Sequence, residues 1–293
     1  MESQETPNPA LTTASAEGPL SGPQESLLIT LYAKRQDFRS PKPLLGDKWA
    51  ADVFEKMGDI QDIETRLKGT PVSITSVTVR ARCLDNWIVE FLAAHPTATV
   101  LHLACGLDTR ALRLQDQCGS GVRWIDLDLP DVVKLRRRLA MPPPENVGEY
   151  TLVGASATDQ GWLEDIPADR PTVVVFEGLT MYLALEDGKA MIQRLVSYFP
   201  SGQLLFDSMS PLSLKVLNGY LYWKGNWNFR FHWGVGNPKD VETFHDRIKL
   251  MDVVSMYHGP GTEELPLQGR VFFYVMSWVP YLSHFFIYLR YKF

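Results

Sequence analysis

His102-Leu103-Ala104-Cys105-Gly106-Leu107-Asp108-Thr109-Arg110 follows an apolar run that ends at Leu101 and opens a helical pattern. A tight turn of small residues between a strand and a helix is where an α/β sheet takes hold of a cofactor, with backbone N–H groups pointing at the ligand. At about the spacing usual for a ribose-binding acid, the run Val122-Arg123-Trp124-Ile125 ends in Asp126-Leu127-Asp128-Leu129-Pro130. A carboxylate at the tip of that second strand can hold both hydroxyls of a ribose. The two stretches together imply a nucleoside cofactor.

Outward from the turn, strands and helices alternate. Strands are expected at 99–103, 122–127, 150–153, 172–176 and 203–206, and helices at 109–117, 131–139 and 186–199. Alternation of this kind implies right-handed crossovers and a parallel sheet with ligands at the carboxyl ends of its strands. Before the turn come three helical patterns, 24–38, 47–57 and 73–94, the last carrying Val77, Leu84, Trp87, Ile88 and Phe91 at helical spacing. Strand-like runs at 250–256 and 271–278 complete a seven-stranded, mostly parallel α/β sheet, with a short aromatic helix expected at the end of the chain. Residues 220–233 break the alternation with eight aromatic residues: Tyr220, Tyr222, Trp223, Trp227, Phe229, Phe231, His232 and Trp233. Such a stretch either lines a pocket for a flat ligand or packs the core.

The chain of 293 residues is 45% hydrophobic and 22% charged, with a net charge of −5, which suits one large α/β domain and disfavours nucleic acid as a partner. The cluster Arg136-Arg137-Arg138 reads as a solvated helix face. Three cysteines, Cys83, Cys105 and Cys118, make neither a paired framework nor a metal-ligand spacing, so a reducing cytoplasmic setting and no metal are expected. Residues 1–23 are polar and rich in Ser, Thr and Pro, and are expected to be disordered rather than a signal peptide. Pro280 and the polar residues around it argue against a membrane span in 271–289, where an aromatic tail packs on the domain or on a second copy in a homodimer. The expected organisation after residue 23 is a helical segment (24–95), a cofactor-binding core (96–208), a substrate cap (209–248) and the last strands with the tail (249–293).

The segment from Ala33 to Asp207 resembles the leucine carboxyl methyltransferase family, which includes the protein phosphatase methyltransferases and the TcmP-like O-methyltransferases. Lys34 and Asp47-Lys48-Trp49-Ala50 stand where that family has a basic residue and Asp-Pro-x-Ala. Val79-Arg80-Ala81-Arg82-Cys83-Leu84-Asp85 answers its Arg-Thr-Arg-x-x-x-Asp pattern, and His102 to Arg110 its Asn-Leu-Gly-Ala-Gly-x-Asp-Thr-Arg. Asp126-Leu127-Asp128-Leu129-Pro130 answers Glu-x-Asp-x-Pro, and Glu177-Gly178-Leu179-Thr180-Met181-Tyr182-Leu183 answers Glu-Gly-x-x-x-Tyr-Leu. The resemblance implies a class I methyltransferase fold of Rossmann-like type and S-adenosyl-L-methionine as cofactor. It implies that Arg80 grips the methionine carboxylate, that Asp128 holds the ribose, and that Lys34, Ala104, Gly106, Asp108 and Glu177 surround the cofactor. The family's Ala-Asp-Leu after the third strand is Ala155-Ser156-Ala157 here, so Ser156 and the Ala157 backbone would meet the adenine, with a neutral bond about half as strong as a charge-assisted one.

Methyl transfer from a sulfonium needs position and desolvation more than covalent help. A carboxylate acceptor is ionised at neutral pH, whereas a phenol with a pKa near 10 calls for a base or a cation. In the aromatic stretch His232 is the candidate base and Arg230 the candidate carboxylate clamp, and Tyr182 can donate a hydrogen bond to either acceptor. Asp108 could instead cap the helix that follows it, and Arg80 could pair along its own helix with Asp85 or Glu90. The favoured reading is an S-adenosylmethionine-dependent O-methyltransferase acting on the carboxyl or hydroxyl group of a small aromatic or polyketide-like molecule. The alternatives are a relative that no longer methylates and serves as a cyclase-like catalyst or scaffold, and a methyltransferase for a protein C-terminus. A nicotinamide oxidoreductase is disfavoured by the lack of Gly-x-Gly-x-x-Gly.

Overall fold

A computed structural model describes residues 25–57, 74–224, 230–279 and 283–293. The tail 1–23 and residues 225–229 of the aromatic stretch lie outside them. The strands are β1 (Thr99–Leu103), β2 (Arg123–Asp128), β3 (Glu149–Gly154), β4 (Thr172–Phe176), β5 (Gly202–Met209), β6 (Lys249–Ser255) and β7 (Phe286–Lys292). They form one sheet in the order β3-β2-β1-β4-β5-β7-β6, in which β7 runs antiparallel to both neighbours and β1 to β5 are parallel. The chain leaves β1 first toward β2 and later toward β4, so the switch point of the sheet lies between β1 and β4, where a crevice opens at the carboxyl ends.

β1 and β4 are buried at every position because helices cover both faces, which is why they read as unbroken apolar runs. One face carries a ladder across three strands: Phe176 stacks on Phe206 at 4.7 Å, and Phe206 on Tyr291 at 5.6 Å. The other face packs against α3 (Ile74–Ala94), which buries Val79, Leu84, Trp87, Ile88 and Phe91. Ahead of it, α1 (Glu25–Phe38) and α2 (Lys48–Glu55) share a small core of Leu28, Leu31, Val53 and Phe54, with Leu107 of the glycine turn in it.

The expected helix 109–117 is a single turn, α4 (Arg110–Arg113), followed by a 3₁₀ turn at Gln115–Gln117. The next helices, α5 (Pro130–Arg138) and α6 (Leu185–Tyr198), lie within a residue of expectation. Two corrections concern the C-terminus. Residues 271–278 belong to a helix, α8 (Leu267–Trp278), which follows α7 (Pro211–Lys224), and the seventh strand is the terminal segment Phe286–Lys292, where a helix was expected. In β7, Ile287, Leu289 and Tyr291 enter one core while Phe286 and Tyr288 enter the other, the period-two pattern of a strand buried on both faces. On α8 only Phe273 is buried, and Leu267, Val271, Phe272, Tyr274, Val275 and Trp278 are exposed. Among the described residues no helix is long and apolar enough to cross a membrane.

Candidate cofactor and acceptor site

The carboxyl ends of β1, β2 and β4 open into a cavity of about 610 Å³, within the usual size range of small-molecule sites. Its floor is the glycine turn. Gly106 has φ of 55°, and a Cβ there would stand 2.6 Å from Leu27 Cδ2, because α1 lies directly over the turn. Ala104 also sits in the left-handed region, at φ of 50°. That conformation costs an L-residue about 1–2 kcal/mol, against a glycine's extra chain entropy of about 0.5–1 kcal/mol. Ala104→Gly is therefore expected to stabilise the fold by about 0.5–1 kcal/mol, seen as a rise of about 2 °C in thermal unfolding.

Asp128, buried at the tip of β2, fastens to this turn. One carboxylate oxygen accepts the Gly106 N–H at 2.6 Å and the other accepts the Leu129 N–H at 2.7 Å, so the carboxylate keeps lone pairs for a ligand in the cavity it lines. Burial pushes its carboxyl above the ordinary range, and the two N–H groups pull it partly back. The turn is clamped from behind by Arg136, which donates to the Gly106 carbonyl at 2.7 Å, the Asp108 carbonyl at 2.9 Å and the Asp126 carboxylate at 2.8 Å. This corrects the reading of 136–138 as a solvated face: Arg137 and Arg138 are exposed, but Arg136 is 4% exposed. Across the cavity Ser156 is half-buried; its hydroxyl lies 2.8 Å from that of Thr158 and caps the Thr158 N–H. Ala157 lines the wall beside it.

Beneath the other end lies a buried ionic network. Lys34 of α1 reaches Asp108 at 3.0 Å, and Arg113 reaches Asp108 at 2.5 Å, Asp85 at 2.6 Å and Asp47 at 3.0 Å. Asp108 thus serves this network while Thr109 takes the N-cap position of α4. Burial opposes its charge, but Arg113, Lys34 and Arg110 hold its carboxyl well below the usual range. Arg80 pairs with Glu177 at 3.1 Å and with Asp207 at 2.8 Å, across to the sheet rather than along its own helix to Asp85 or Glu90. Arg110, fully buried, holds Asp85 at 2.7 Å and pairs with Glu177. It also donates to His102 Nε2 at 2.9 Å, which places the ring hydrogen on Nδ1, 3.2 Å from Asp126. Burial would raise the Glu177 carboxyl, but Arg80, Lys34 and Arg110 outweigh it and hold it down at about 2. Arg110, Arg113, Arg136 and Asp207 had no place among the sequence-derived site residues; Arg110 closed a quoted motif, Arg136 was read as part of a solvated face, and Asp207 only bounded the segment that carries the resemblance.

Beyond Arg80 the cavity turns apolar. Met181, Met209 and Leu214 form a small core there, with Tyr182 and Phe231 packed on it at 5.4 Å ring to ring. Tyr220, Phe272 and Phe286 add aromatic wall. Burial raises the Tyr182 phenol, so it remains a donor at neutral pH, and Ser26 of α1 is hydrogen-bonded to it. Arg230 and His232 are not brought to this wall. Both are exposed and stand outside the cavity lining, and the His232 backbone N–H is tied to the Met181 carbonyl at 2.7 Å. Of the aromatic stretch, Tyr220 and Phe231 line the cavity, whereas Trp233 packs the core against Gly188.

The family model that describes leucine carboxyl methyltransferases matches residues 32–196. Over 242 residues the chain is 41% identical to the tetracenomycin polyketide synthesis O-methyltransferase TcmP of Streptomyces glaucescens, covering 82% of this chain and 86% of that one. It is 36% identical over 252 residues to the S-adenosyl-L-methionine-dependent methyltransferase dpfgK of Gibberella zeae, covering 82% and 84%. A solved structure from Thermobifida fusca shares the fold, with a TM-score of 0.56 at 16% identity over 87% of this chain and 98% of its own. The glycine turn, the Asp128 carboxylate at the strand tip and the cavity between them fit S-adenosylmethionine, and the chain belongs to the leucine carboxyl methyltransferase family of S-adenosylmethionine-dependent methyltransferases.

Proposed function

We propose that this methyltransferase esterifies a carboxyl group of a small, flat, aromatic and polyketide-like acceptor. The observation that carries this reading is the continuity of one cavity, from Asp128 and Ser156 at one end to Tyr220, Phe231, Phe272 and Phe286 at the other. When bound, S-adenosylmethionine supplies an electrophilic methyl group on a sulfonium. Asp128 would hold the ribose hydroxyls, Ser156 and Ala157 the adenine edge, and Lys34 with Arg80 would face the methionine carboxylate. The ionic network sets four cations (Lys34, Arg80, Arg110, Arg113) against five carboxylates (Asp47, Asp85, Asp108, Glu177, Asp207). The spare negative charge suits a ligand with two positive groups and one negative. α1 lies over the turn with Ser26, Leu27 and Lys34 in the lining, which keeps water from the reacting end.

A carboxyl acceptor is favoured over a phenol because the acceptor half, among its described residues, offers Tyr, Phe, Met and Leu but no His or Lys to take a proton. A carboxylate with a pKa near 4 needs none. Tyr182 serves it as a hydrogen-bond donor. The name of the Streptomyces relative, a polyketide synthesis O-methyltransferase, supports a polyketide-like acceptor. The test is incubation with S-adenosylmethionine and, separately, 2-naphthoate, 2-naphthol and a peptide ending in a leucine carboxylate, with products weighed by mass spectrometry. Methyl ester from 2-naphthoate is the expected product. Methylation of the peptide alone would transfer the protein to the C-terminal methylating class, and binding of cofactor with no product from any of the three would favour the cyclase or scaffold reading.

A further inference from the structure

Tyr288 of β7 lines the cavity and is 1% exposed, and its hydroxyl oxygen is buried with no hydrogen-bond partner. Four other buried side-chain polar atoms share that condition among the described residues: Thr99 Oγ1, Arg136 Nε, Trp162 Nε1 and Arg194 Nε. None of those four residues lines the cavity, as Tyr288 does. Leaving a buried hydroxyl unsatisfied is costly, and such a group in a native structure calls for an explanation, of which a functional role is one.

Its aromatic and apolar neighbours favour the acceptor over the cofactor as the ligand it would meet. Tyr288 is paired in register with Asp207, whose carboxylate holds Arg80, and two residues before it on the same face is Phe286 of the aromatic wall. Met256 and Phe273 pack around it in the same apolar cluster. The ribose-binding Asp128 and the glycine turn belong to the other end of the cavity. Burial keeps the phenol protonated far above neutral pH, so the group can only act as a neutral donor or acceptor. Resting on the aromatic-acceptor reading above, we propose that the Tyr288 hydroxyl donates a hydrogen bond to an oxygen of the acceptor and thereby selects acceptors that carry oxygen at the inner end of the cavity.

The test uses Tyr288→Phe in the full chain and two probes of like size, 2-naphthoate and 2-methylnaphthalene, titrated by fluorescence with and without S-adenosylhomocysteine. The native protein should favour the naphthoate by about tenfold or more, and the variant, in which Tyr182 still donates, should lower that preference by about fivefold. S-adenosylhomocysteine affinity should not change, and the unliganded variant should melt at the same temperature or about 2 °C higher, since an unsatisfied hydroxyl has been removed. A rise in stability with a loss in probe discrimination is a combination that a purely structural tyrosine would not give. The proposal is overturned if the variant keeps the native ratio, if the native protein shows no preference, or if the loss falls on S-adenosylhomocysteine. Failure of the native protein to bind S-adenosylhomocysteine at all would instead count against the methyltransferase reading, and the probe ratio would still be measurable without it.

Discussion

Asp128→Ala is expected to weaken S-adenosylhomocysteine binding by about 100-fold or more. The carboxylate can accept both ribose hydroxyls, and hydrogen bonds to a charged group contribute about 1.5–3 kcal/mol each. The same oxygens fasten Gly106 and Leu129 through their N–H groups, so the substitution also loosens the turn on which the cofactor rests. Asp128→Asn keeps one carbonyl oxygen for Gly106 and should fall between, at about tenfold. The pH dependence has a definite sign. Ribose hydroxyls donate to the ionised carboxylate, so affinity is full above the Asp128 pKa and declines as pH falls through it. Burial has raised that pKa, so the decline begins at a higher pH than an exposed aspartate would give, and it disappears in Asp128→Ala. Calorimetry at pH 7 and in the acid range reads both effects; an affinity within about threefold of native would place the ribose elsewhere.

Much of this site can be read from a single sequence because its parts are local. β1 and β4 are short runs of buried, mostly apolar residues, and Asp128 is the last residue of its strand, so spacing alone brings it to the glycine turn. The C-terminal errors have an equally local cause. Leu267–Trp278 is apolar on several faces, and an apolar run without clear periodicity does not distinguish strand from helix. In Phe286–Lys292 the alternation is disguised because both faces are buried and every residue but Arg290 and Lys292 is apolar or aromatic. Arg110, Arg113 and Arg136 were missed for a different reason. Their partners Glu177, Asp47 and Asp126 lie 67, 66 and 10 positions away, and nothing in a run such as Arg136-Arg137-Arg138 tells which guanidinium the tertiary fold will bury. Arg230 and His232 were misplaced in the opposite sense: chemical suitability in an aromatic stretch did not reveal that Phe231 alone of the three lines the cavity.

Arg110→Met is the substitution expected to damage the fold most, by about 3–5 kcal/mol, or about 10 °C in thermal unfolding. Methionine fills part of the volume, so the loss comes from the charges that remain. Asp85 keeps Arg113 at 2.6 Å and Glu177 keeps Arg80 at 3.1 Å, but each loses a partner at a site with almost no access to water. His102 loses the donor to its Nε2 as well. Adding Glu177→Gln to Arg110→Met should recover part of the loss, because an amide is cheaper to bury than a half-paired carboxylate. The acid range separates this account from simple misfit. Glu177 has a folded pKa held down at about 2, so its contribution to stability is complete above the ordinary carboxylate pKa and is lost as pH falls toward about 2. With Arg110 gone the folded pKa moves up and that contribution shrinks. The gap in melting temperature between native and Arg110→Met should therefore be widest near neutrality and narrow as the medium is acidified, whereas a cavity or packing defect would leave the gap constant.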